Sequence, residues 1–127
     1  MSKKIVVVED DFPIAQMYDF KLRANGFHVA TAPDGVTGLA LAGSFLPDLI
    51  LLDLLMPGMN GDKMLEKLRE TDWGAKIRVI VLTNLSKDEA PHELRLLNVD
   101  RYVVKAHHTP AQVVEIVEEV LGKKNKL

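Results

Sequence analysis

Short apolar runs alternate along this chain with segments whose apolar residues recur every three or four positions. Residues 4–8 (KIVVV) are continuous and β-branched, which predicts a strand buried on both faces. Over 12–25, Ile14, Met17, Tyr18 and Leu22 fall at helical spacing, with Asp11 suited to the cap, Pro13 to the first turn and Gly26 to the stop. The alternation then predicts a strand at 27–32, a helix of small residues at 33–45 capped by Asp34, and a strand at 47–53. A helix at 61–71 turns Met64, Leu65 and Leu68 inward, and a strand follows at 76–83. The next helix is less regular. Ser86 and Glu89 would make a capping box, but Pro91 would then sit in the helix interior; Asp88 as cap moves Pro91 into the first turn and predicts a short helix at 89–97. After a strand at 100–105, the last helix starts with Thr109 as cap, Pro110 at its first position and Gln112 closing the box. Val113, Ile116, Val117, Val120 and Leu121 form its apolar face, and Gly122 stops it.

Five strand–helix units, with strands apolar throughout, imply a doubly wound α/β fold: a five-stranded parallel sheet covered by helices on both faces. Residues 1–122 read as one domain and 123–127 (KKNKL) as a basic tail. The composition fits one core: 127 residues, 47% of them apolar, which argues against disorder. Sixteen basic against eighteen acidic side chains give a net charge of −2, with no electrostatic footprint for direct nucleic-acid binding. There is no cysteine, no signal-peptide pattern and no apolar run of membrane-spanning length, so a cytoplasmic location with no membrane association is expected.

Sheets of this kind carry their sites beyond the carboxyl ends of the strands. Glu9, Asp10 and Asp11 follow the first strand, Asp53 the third, Thr83 and Asn84 the fourth, and Lys105 the fifth. In the order 2-1-3-4-5, three acids, a hydroxyl and an amine meet in one crevice. Two carboxylates about 4 Å apart repel by roughly 4 kcal/mol at an effective dielectric near 20, and a bound cation settles that cost. All-oxygen ligands suit Mg²⁺, which also seeks phosphate oxygens; Lys105 and Thr83 suit an anion. Asp53 is the candidate nucleophile for a phosphoryl group. Asp11 is better read as a helix cap than as a ligand, and His107 and His108 as loop surface.

The motifs VVVEDD (6–11), LILLDLLMPGMNG (49–61), VIVLTN (79–84) and RYVVK (101–105), in this order and spacing, resemble the response-regulator receiver domain of two-component and phosphorelay systems. The resemblance implies a flavodoxin-like (βα)5 fold with strand order 2-1-3-4-5. It implies Asp53 as phosphoacceptor, Asp10 as direct Mg²⁺ ligand (Mn²⁺ able to replace the metal), Glu9 acting more through water, and a metal contact from the Leu55 backbone carbonyl. Thr83 matches the switch hydroxyl, Lys105 its cationic partner, Tyr102 the aromatic that reports the state of Thr83, and Pro57–Gly58 the turn beyond the acceptor. The implied donor is a sensor histidine kinase or phosphotransfer protein. The implied output is a partner or a homodimer at the face of the fourth helix, fifth strand and fifth helix. Such a domain catalyses its own phosphorylation and slow dephosphorylation and is no metabolic enzyme.

Ala106 replaces the proline usual after the lysine, so the Lys105–Ala106 bond is expected to be trans. Asn84 is larger than usual and is expected to slow small phosphodonors. Leu55 and Leu85, two residues beyond Asp53 and Thr83, offer no hydrogen bond to an attacking water, which predicts slow loss of the phosphoryl group. Two rival readings are a degenerate receiver-like binding module that takes no phosphate and a Mg²⁺ phosphatase. The phosphatase would need a second acid where Leu55 stands.

Overall fold

The computed structural model describes residues 2–122; the basic tail expected at 123–127 lies outside the described residues. Five strands, β1 (Lys4–Val8), β2 (His28–Ala32), β3 (Leu49–Leu52), β4 (Arg78–Thr83) and β5 (Arg101–Val104), form one parallel sheet in the order β2-β1-β3-β4-β5. The α-helices are α1 (Phe12–Ala24), α2 (Gly35–Phe45), α3 (Gly61–Arg69) and α4 (Pro110–Leu121). The expected strand order and doubly wound class hold.

The two-residue period of the strands divides the core into two layers. Ile5, Val7, Leu49, Leu51, Ile80, Leu82 and Val103 pack with Tyr18 and Leu22 of α1 and Val113, Ile116 and Val117 of α4. Val6, Val8, Ile50, Leu52, Val79 and Val81 face the other way, onto Ala42 of α2 and Met64, Leu65 and Leu68 of α3. Burying each such Leu or Ile contributes about 1.5–3 kcal/mol. The two layers make the sheet the rigid part of the molecule.

Local signals set most helix ends. Asp11 accepts from the Ile14 amide at 3.1 Å and Asp34 from the Thr37 amide at 2.8 Å. Thr109 and Gln112 form the reciprocal box at the start of α4. Gly26 and Gly122 take positive φ. At the end of α2, however, the left-handed cap is Leu46, with φ 51°, where no glycine marks the stop.

The helix predicted at 89–97 does not form. Two 3₁₀ turns, Lys87–Glu89 and His92–Leu96, occupy that stretch. Asp88 is not the cap. Ser86 is, and Glu89 closes the box with the Ser86 amide at 2.9 Å. Once Ser86 caps, Pro91 has no amide to continue the helix, and Ala90 before it is extended at ψ 149°. The capping box therefore wins one turn and the proline ends it. Lys105 likewise opens a short 3₁₀ turn, Lys105–His107, instead of extending β5.

Candidate functional site

The strand ends deliver the polar residues. β1 leads into Glu9, whose amide bonds to the Ala32 carbonyl at 3.0 Å, and β3 leads into Asp53, whose amide bonds to the Val8 carbonyl at 3.1 Å. These ladder-like bonds carry the sheet's rigidity into the site. Glu9, Asp53 and Thr83 are the buried polar residues of the described chain, at 5%, 6% and 0% exposure. Asp10 stays exposed on the rim.

Lys105 joins the acids. Its Nζ lies 2.6 Å from Glu9 Oε1 and 3.0 Å from Asp53 Oδ2. The remaining oxygens are also engaged: Glu9 Oε2 accepts from the Asp11 amide at 3.1 Å, and Asp53 Oδ1 from the Leu55 amide at 3.1 Å. The cluster is thus hydrogen-bonded throughout, as buried charges must be. Among the described residues there is no cis peptide bond, so Lys105–Ala106 is trans as expected. The trans bond still brings the amine to both carboxylates.

Burial raises the Glu9 carboxyl above its ordinary value, outweighing the hydrogen bond from Lys105, the Asp11 amide and the charge of Lys105. Burial alone would lower the Lys105 amine. Its bonds to Glu9 and Asp53 outweigh that, so its pKa is raised. The ammonium therefore persists at neutral pH.

One carboxylate oxygen from each of Glu9, Asp10 and Asp53 lies within 4.8 Å of the other two. This all-oxygen donor set, with two ligands buried and one free on the rim, fits a hard divalent cation of the Mg²⁺ type. Asp11 does not join it, because its side chain caps α1. His108 Nδ1 pairs with the Val104 carbonyl at 3.2 Å.

Thr83 and Tyr102 meet through the chain between them. The Leu85 amide lies 3.5 Å from Thr83 Oγ1, and the Tyr102 hydroxyl donates to the carbonyls of Leu85 at 2.8 Å and Ser86 at 3.2 Å. Burial, then Glu89 and Asp53, raise the Tyr102 phenol, so it remains a donor. Leu55 is half exposed beside the site, Leu85 is partly buried and Asn84 is exposed.

Two contributions escaped the sequence reading. The amide of Leu55 orients Asp53, which no side-chain pattern announces. Gly61 leaves room for the turn after Asp53: a Cβ there would overlap the Asp53 carbonyl oxygen and stand 2.9 Å from Leu54 Cα. The glycine that follows MPGMN was the visible signal for it. Gly58, at φ 74°, makes the turn itself.

The family model for the response regulator receiver domain matches residues 5–118. The response regulator PleD of Caulobacter vibrioides is 42% identical over 85 residues, which is 67% of this chain and 19% of that protein. The DNA-binding response regulator MtrA of Mycobacterium tuberculosis is 41% identical over 124 residues, 97% of this chain and 51% of MtrA. The chain therefore spans about half of the mycobacterial relative and far less of PleD. Among solved structures, the Vibrio cholerae chemotaxis protein CheY4 superposes with a TM-score of 0.87 at 27% identity, covering 94% of this chain and 99% of that one. A CheY-like receiver domain from Methanospirillum hungatei gives 0.86 at 26% identity, covering 98% of each chain. A sheet that gathers acids and a lysine at its carboxyl edge, the match along nearly all of the chain and relatives above 40% identity lead to one assignment: this chain belongs to the response regulator receiver domain family.

Proposed function

We propose that residues 1–122 act as a phosphoacceptor domain in a two-component or phosphorelay system, with Asp53 as the acceptor. The observation that carries this reading is the buried Asp53 carboxylate held between the Lys105 ammonium and the Leu55 amide. A phosphohistidine of a sensor kinase or phosphotransfer protein is the donor. An Asp53 oxygen attacks phosphorus, the P–N bond breaks, and the imidazole leaves with its electron pair and takes up a proton. Lys105 then holds a phosphoryl oxygen, Thr83 donates its hydroxyl to another, and Glu9, through Lys105, fixes the amine in place. Glu9, Asp10, Asp53 and the Leu55 carbonyl would hold Mg²⁺ or Mn²⁺, which would neutralise the acids and the transferred oxygens.

The phosphoryl group biases Thr83, and Tyr102 senses the change through the carbonyls of Leu85 and Ser86. The output face comprises residues 87–96, β5 and α4, and it serves a partner protein or a second copy. A cytoplasmic setting suits this role. The apolar side chains of Leu55 and Leu85 slow hydrolysis by leaving the attacking water unoriented, and Asn84 disfavours small donors. The rival reading as a degenerate module drew on Ala106 and Asn84. Lys105 reaches both carboxylates in spite of Ala106, and Asn84 is exposed.

The test is intact mass after incubation with phosphoramidate or a histidine kinase, with and without Mg²⁺. One phosphoryl group is expected, requiring both the metal and Asp53, and absent in Asp53→Asn. No addition from either donor would overturn the reading. The lifetime of the adduct should shorten in Leu55→Asn; an unchanged, already short lifetime would remove the role given to Leu55 and Leu85.

A further inference from the structure

Residues 84–98 form a strap, within which a short helix was expected at 89–97. Among the described residues, the hydrogen bonds that tie this strap to other elements lie at its two ends. At the first end the ties are neutral: the Tyr102 hydroxyl is shared between the Leu85 and Ser86 carbonyls, and the Leu85 amide lies 3.5 Å from Thr83 Oγ1. At the second end stands Arg69, the last residue of α3. Its Nε donates to the Leu97 carbonyl at 2.8 Å and its Nη2 to the Asn98 carbonyl at 2.9 Å. Nη1 of the same guanidinium serves the carbonyls of Ile77 at 2.7 Å, Gly74 at 2.9 Å and Ala75 at 3.3 Å.

One planar cation therefore pins the strap's far end to the α3–β4 connection. Bonds of this charged kind are roughly twice as strong as neutral ones. Asn98 is held there in a left-handed conformation, φ 55°. Between the two ends, the extended Ala90–Pro91 link separates the two 3₁₀ turns, and only Leu94 of the second turn is buried. The ends are thus unequal: the one next to Thr83 is weakly held and the one at Arg69 is firmly held.

We infer that Arg69 is a positioning residue of the switch, holding Leu97–Asn98 fixed so that, within the strap, a change at Thr83 is confined to the Leu85–Pro91 arm. This inference rests on the reading of Asp53 as phosphoacceptor. It also concerns the groove of about 790 Å³ between the strap and Arg101–Tyr102. The wall at Lys87–Ala90 moves with the state of the site, while the wall at Arg95–Asn98 does not. A partner reading this groove would sense one moving wall against a fixed one.

The test follows backbone amide shifts in the full chain by NMR as Mg²⁺ and beryllofluoride are added. In the native protein, the changes should run from Thr83 through Ala90 and stop before Leu97. In Arg69→Ala they should extend through Leu97–Val99. Arg69→Lys, which keeps the charge and loses the planar fork, should extend them to a lesser degree. A purely structural role would lower stability in both variants and leave the span of the changes where it was, which overturns the inference. So would changes that already cross Leu97–Val99 in the native protein. If Arg69→Ala does not fold, the native span and Arg69→Lys decide the matter. Intact mass after phosphoramidate separates the two levels of failure. A phosphoryl group on Asp53 with a silent Leu85–Pro91 arm overturns the strap inference alone; no phosphoryl group overturns the acceptor reading and this inference with it.

Discussion

Glu9 and Lys105 set the electrostatic character of the site residue by residue. The folded chain raises the pKa of Glu9, so it binds more protons than the unfolded chain just above the ordinary value of 4.5. Stability is then fully present below that value and declines as pH rises through the folded pKa. Glu9→Gln should abolish this decline and be at least as stable as the native protein at pH 7 without metal. Urea denaturation from pH 4 to 8 checks this, and a decline that persists in Glu9→Gln would assign it to another group. Lys105 has the opposite energetic role. Its raised pKa makes its contribution complete below 10.5, and that contribution is lost only as pH rises through the still higher folded value. Removing it strands two buried carboxylates 5% and 7% exposed. Lys105→Ala should therefore cost about 3 kcal/mol at neutral pH. Added Mg²⁺ should recover part of the loss, read as a shift in the denaturation midpoint. The chemistry of these residues was legible from their positions after the strands. Their convergence in one crevice was legible too, but the direct bridge from Lys105 to Glu9, 96 residues away in sequence, was not.

Element ends show where local signals suffice and where they compete. Asp11, Asp34 and Thr109 cap as their sequences require, because each side-chain oxygen reaches an amide three residues on. Leu46 has no such logic. It adopts the left-handed conformation because the chain must turn from α2 into β3, and the strand's burial decides the turn. Glycine at this half-exposed position would relieve a strain of about 1–2 kcal/mol at a smaller entropic cost. Leu46→Gly is expected to stabilise the protein by about 0.5–1 kcal/mol, measured by chemical denaturation, with phosphoryl acceptance unchanged. The stretch 86–97 held two valid capping signals that exclude one another. Asp88 would have given one short helix; Ser86 with Glu89 gave a 3₁₀ turn and left Pro91 to divide the segment. Sequence periodicity cannot rank them, since the outcome depends on where Tyr102 and Arg69 hold the flanking carbonyls.

At the scale of the whole molecule, the sheet converts separate strand ends into one crevice in which three acids face a single Lys105 ammonium. A ligand that binds only the folded state adds RT ln(1 + [L]/Kd) to stability. Mg²⁺ at a hundred times its Kd should thus add about 2.7 kcal/mol, read by denaturant titration at several metal concentrations. Asp10→Asn should shift this dependence to higher Mg²⁺, because it removes the exposed carboxylate of the cluster. Equal stabilisation in Asp10→Asn would place the cation elsewhere.

The sequence by itself determined the alternation of strands and helices, a parallel sheet covered on both faces, and which polar residues end the strands: Glu9, Asp10, Asp53, Thr83 and Lys105. These follow from period-two and period-3.6 patterning and from which residues end each strand. Only the tertiary structure decided that Lys105 bridges Glu9 and Asp53, that Gly61 clears the turn after Asp53, that Leu46 turns left-handed and that Arg69 gathers carbonyls from two separate turns. The physical reason is range. Patterning and caps act over three or four residues, whereas a free carbonyl, a buried charge or a crowded Cβ finds its partner only after distant segments have packed.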